Sequence, residues 1–153
     1  MYKTYQDYCK ARQDRVNALP LYWAFSDQQF EEVLKKTGAS GPEDFYKGPG
    51  GSFYLKTDAP IIHAYLDEED PLPELLKDYD WAKGAFIYEM GNHEYHINWQ
   101  ADYDVVNCFA NVDYEEGEEK GYLSLTGWEE QTKRAYIDAR NEFYKKCDEN
   151  DWW

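Results

Sequence analysis

Cysteine is scarce: 153 residues hold only Cys9, Cys108 and Cys147. The odd count and wide spacing rule out a disulfide framework and a CxxC metal knuckle, so reduced thiols are expected. Long apolar runs are missing, and no stretch approaches the ~18 residues of a membrane span. Met1–Asp7 lacks the apolar core of a secretory leader. Catalytic signatures are missing too. There is no Gly-x-Ser-x-Gly elbow. Gly48-Pro49-Gly50-Gly51 lacks the Lys-Ser/Thr ending of a phosphate loop and reads as a turn. Residues 113–120 lack the alternation and closing Glu of an EF-hand. No cofactor is expected on these grounds.

Positive charge runs short in one part of the chain. Residues 1–57 carry 8 Lys/Arg and 7 Asp/Glu, a net of +1, whereas residues 58–153 carry 8 and 24, a net of −16. Phosphate contacts need Lys and Arg, and only the first helix concentrates them, so direct nucleic-acid binding is disfavoured. Anionic membrane surfaces are disfavoured for the same reason. A one-signed field of this strength attracts basic grooves instead.

What is abundant is aromatic: 15 Tyr, 7 Phe and 6 Trp. A disordered acidic tail would lack these residues, so the chain should fold. Periodicity predicts helices over 4–19, 27–37, 58–66, 72–77, 80–90 and 101–111, and a long one opened by Thr126 and Glu129. Ser26 with Gln29 forms a capping-box pattern, and Gly38 stands where a helix stops. Short strands are predicted over 21–25, 52–56 and 94–99, and an acidic loop over 113–120. The expected fold is α+β: a helix-rich single domain over 1–147 with a small antiparallel sheet of three or four short strands. An acidic and aromatic tail, 148–153, follows.

Two kinds of site stand out. Acidic residues gather at Asp67, Glu68, Glu69 and Asp70, and again at Glu115, Glu116, Glu118 and Glu119. With Trp152 and Trp153 as anchors they form a candidate partner surface. The second is Glu89, Asn92, His93, Glu94 and His96. Here His93, Glu94 and His96 are an alternative metal set, although the two histidines are three apart rather than the four of the helical zinc motif. His63 joins them only if the fold brings it there.

Two segments carry a family resemblance. Trp23-Ala24-Phe25-Ser26-Asp27-Gln28-Gln29-Phe30-Glu31-Glu32 is one; Phe86-Ile87-Tyr88-Glu89 leading to Asn92-His93-Glu94-Tyr95 is the other. Together they resemble small proteins of phages and mobile elements of gut bacteria that carry similar AFS-x-x-QFEE and NHEY segments. The resemblance spans roughly residues 5–100 and brings no catalytic residues with it. It implies a phage or prophage gene acting in the bacterial host cytoplasm. In that setting the charge leads to an expected role: a non-enzymatic binder that occupies the basic groove of a nucleic-acid-handling host protein, such as a CRISPR nuclease. This would be anti-CRISPR-like inhibition by nucleic-acid mimicry, exerted by a monomer or homodimer. The rival expectations are a small metal-dependent enzyme around His93, Glu94 and His96, and a phage protein-interaction module.

Overall fold

The computed structural model describes all residues, 1–153. In chain order the helices are α1 (Tyr5–Asn17), α2 (Asp27–Thr37), α3 (Ala59–Leu66), α4 (Leu72–Leu75), α5 (Tyr79–Asn92), α6 (Ala101–Asn107), α7 (Tyr114–Lys120), α8 (Tyr122–Leu125) and α9 (Glu130–Asn150). The strands are β1 (Phe45–Lys47) and β2 (Phe53–Leu55). The chain forms two compact units, one of Met1–Ala11 with Asp70–Trp153, the other of Arg12–Glu69. No helix is long and apolar enough to cross a membrane.

The first unit is built on α5 and α9. Ala82, Ala85, Phe86, Glu89 and Met90 recur at helical spacing and make the buried stripe of α5. Thr132, Ala135, Tyr136, Ala139, Phe143 and Cys147 do the same for α9. Alanines on both stripes are fully excluded from solvent and let the two backbones approach closely. Phe86 fills the centre, with ring contacts to Phe109 at 4.9 Å, Trp128 at 5.1 Å and Tyr136 at 5.2 Å. Burying one such side chain contributes about 1.5–3 kcal/mol. Thr132, the buried polar residue of the stripe, donates its hydroxyl to the Leu76 carbonyl at 2.8 Å.

The second unit centres on the β1–β2 hairpin, antiparallel with Tyr46 opposite Tyr54. Phe30, Phe45 and Phe53 meet edge to face at 5.2–6.0 Å. The Gly48–Gly51 segment is the connecting turn, with Gly50 and Gly51 at φ of 61° and 75°.

The α+β class holds, but the sheet has two strands rather than three or four. Of the predicted strands only 52–56 forms, as β2, and its partner β1 lies in a stretch for which no strand is predicted. The 21–25 segment supplies a single bridge: Tyr22 exchanges both backbone hydrogen bonds with Phe53, at 2.8 and 2.9 Å. The 94–99 segment is a run of turns. Glu94 adopts φ 49°, and the amides of Ile97 and Asn98 both return to its carbonyl. Local turn closure wins because no strand stands alongside to pair with.

Candidate functional site: a Glu-His-Cys cluster and an acidic helix

Asp78 opens α5 by accepting from the Trp81 amide at 2.8 Å. Seven residues after Ala82 on the same stripe comes Glu89, a carboxylate only 8% exposed. A buried carboxylate needs partners. Asn92 donates to its Oε2 at 3.1 Å, and the Glu89 charge helps to raise the Tyr5 phenol of α1. His93, the residue that ends α5, lies within ion-pair range, with Nε2 at 3.6 Å from Oε2. Four residues apart, Glu89 and His93 share one helical face.

Cys108, just after α6, completes the group. Its Sγ lies 3.4 Å from His93 Nε2 and 3.3 Å from the Asp104 carbonyl. The ligand atoms of Glu89, His93 and Cys108 all lie within 4.8 Å of one another. Cys9 neighbours the cluster closely enough to help raise both Tyr5 and Cys108. Burial, followed by the Glu89 charge, pushes the Cys108 thiol up to about 12. Burial and Glu89 likewise raise Tyr5 far above the ordinary phenol value.

Two chemistries fit a Cys-His-Glu group, and the geometry separates them. In a nucleophilic relay the thiol faces one imidazole nitrogen and the carboxylate orients the ring through the other. Here thiol and carboxylate converge on the same nitrogen, Nε2. A reactive thiol is also depressed in pKa, and this one is raised. The arrangement is that of donor atoms facing a common point.

Of the sequence-derived metal set, only His93 takes part. Glu94 is exposed in its left-handed turn. The His96 ring lies by Phe143 and Trp153, with Nδ1 buried and unpartnered. His63 is exposed on α3. Glu89 was visible in the sequence beside His93; Cys108 was not, because only the fold brings the end of α6 to the end of α5.

The acidic residues divide by employment. Asp67 caps α3 through its backbone, and Glu68 pairs with Arg15. Glu69 is exposed. Asp70 accepts from the Tyr8 hydroxyl at 2.9 and 3.0 Å and from the Leu72 amide at 2.9 Å, so it is a structural group. The 113–120 segment is helix α7 rather than a loop. Asp113 starts it by accepting from the Glu116 amide at 3.1 Å. Gly117 is buried, and a Cβ there would overlap the Tyr122 ring. At 100° per residue, Glu115, Glu116, Glu118 and Glu119 occupy the arc opposite Gly117, and all four are exposed. Glu116 pairs with Lys120 at 2.7 Å, and Glu118 accepts from Tyr114 at 2.7 Å. Glu115 and Glu119 form no ion pair.

The most exposed tryptophan is not one of those the sequence offered as anchors. Trp99, 82% exposed, precedes α6, whose Tyr103 ring meets Tyr114 of α7 at 5.2 Å. The chain-terminal Trp153 instead stacks on Tyr144 at 5.7 Å and donates to Asp148 at 2.7 Å. Trp152 is exposed.

No curated protein and no solved structure matches this chain. A family model does match, over residues 4–124, and so runs past residue 100 to take in Glu89, His93, Cys108 and all of α7. The chain belongs to that family, the Family of unknown function (DUF7659).

Proposed function

We propose that this protein is an acidic binder that occupies a cationic, nucleic-acid-handling surface of a host protein. The observation that carries the reading is the outward arc of α7, four exposed carboxylates on one face. The four span about 6 Å of helix axis, a length over which duplex DNA carries roughly three to four charges. The unit that holds α7 contains 21 Asp/Glu against 10 Lys/Arg, a net of −11. Carboxylates there pair with the Lys and Arg that otherwise hold phosphate, and an exposed indole supplies apolar contact area. The resemblance to phage and mobile-element proteins points to a defence nuclease as target, with the protein acting as an anti-CRISPR-like inhibitor in the host cytoplasm.

The test is capture of the partner from a bacterial lysate, followed by competition with DNA and RNA. Binding should weaken steeply with salt, mainly through the association rate. Neutralising the arc (E115Q, E116Q, E118Q and E119Q together) should reproduce that loss at low salt, and W99A should speed dissociation. A captured partner indifferent to salt, to nucleic acid and to the fourfold substitution overturns the reading.

A further inference from the structure

We propose that Glu89, His93 and Cys108 form the protein side of a zinc site. Around a tetrahedral zinc with bonds of about 2.0–2.3 Å, neighbouring ligand atoms stand roughly 3.3–3.7 Å apart. The separations from His93 Nε2 are 3.4 Å to Cys108 Sγ and 3.6 Å to Glu89 Oε2. Two of the three edges thus already match a coordination tetrahedron, and all three ligand atoms lie within 4.8 Å of one another. The donor set selects the ion. Thiolate with imidazole suits zinc, whereas calcium and magnesium take oxygen alone. A cation also answers the electrostatics. Glu89 is a buried carboxylate facing His93, and a bound divalent ion would add a full compensating charge there.

The surroundings are those of a metal centre. The Asn92 amide donates to the Glu89 carboxylate at 3.1 Å and fixes its direction. Hydrogen-bonded support of a ligating carboxylate is a common feature of such centres. With three protein ligands the fourth position falls to water or to the neighbouring Cys9. Three ligands and a water is the pattern of catalytic rather than purely structural zinc sites.

The experiment uses the full chain, stripped with a chelator and titrated with zinc against a chromophoric competitor. Cobalt titration is read in parallel for the sulfur-to-metal charge-transfer band. One equivalent of zinc should bind, and the cobalt form should show the band. Both Cys108→Ser and His93→Gln should weaken zinc by at least about tenfold, since even outer-shell groups cost that much, and C108S should diminish the band. Glu89→Gln should weaken binding as well. If burial makes that variant unfold, the half-buried Cys108 and His93 carry the test, with circular dichroism confirming their helix content. His63→Gln and His96→Gln should bind as the parent does. Absence of stoichiometric zinc binding, parental affinity in both C108S and H93Q, or an H96Q loss equal to that of H93Q overturns the site. The acidic arc of α7 is untouched by these substitutions, so this outcome and that of the lysate capture are independent.

Discussion

At the scale of single residues, the helical unit keeps several phenols neutral by design. Tyr95 and Tyr136 both donate to Asp102, Tyr136 at 2.6 Å, and Tyr5 leans on Glu89. Burial first raises all three well above the ordinary tyrosine value, followed by Glu89 at Tyr5, by Asp102 at Tyr95, and by Tyr95 and then Asp102 at Tyr136. A group raised in the folded state stabilises the fold below its unfolded value and loses that contribution as pH climbs. Stability should therefore hold to about pH 9 and fall above about pH 10, where unfolded tyrosines ionise. Urea midpoints followed by circular dichroism across that range check this. Y136F should flatten the fall, because its ring fills the same space and cannot ionise. A midpoint that does not move in alkali would sink the account. The same scale explains what could be read of the cluster beforehand. Glu89 and His93 are one helical turn apart, so their meeting is written in the spacing. Cys108 is a partner made by folding, and no local pattern announces it.

At the scale of elements, identical signals had different fates. Ser26 does cap α2, accepting from the Gln29 amide at 3.3 Å, while the Gln29 side chain reaches back to the Phe25 amide at 2.7 Å. Thr126 with Glu129 has the same spelling but no such role. Thr126 closes α8 by donating to the Leu123 carbonyl, and Gly127 turns the chain at φ 69° before α9 begins. Helix α7 was hidden for a different reason. Four glutamates and a central glycine look like a solvated loop, yet the glycine is what lets Tyr122 lie against the helix. Gly117→Ala gains helix propensity of about 1 kcal/mol but must displace that ring, at a cost of about 1–3 kcal/mol. We expect net destabilisation, read as a lowered melting temperature. A variant that melts higher than the parent would mean that Tyr122 yields freely.

At the scale of the whole molecule, charge sets the terms. The helical unit carries −11, and the hairpin unit carries 10 Asp/Glu against 6 Lys/Arg, a net of −4. The surplus was legible in the sequence, as were the aromatic richness and the helix-rich class. The number of strands was not, because strand pairing is settled by partners distant in the chain. Self-repulsion of this size opposes compactness, and salt screens it over about 10 Å at 0.1 M. Added sodium chloride should therefore raise the melting temperature from its low-salt value, as differential scanning calorimetry would show. A fall would mean that the surface ion pairs outweigh the repulsion.

Cys147 lies wholly enclosed on the inner side of α9. An alkylating reagent can reach that sulfur only when α9 lifts away, so the mass it adds at this one position keeps time for the opening of the helical unit, without any engineered label.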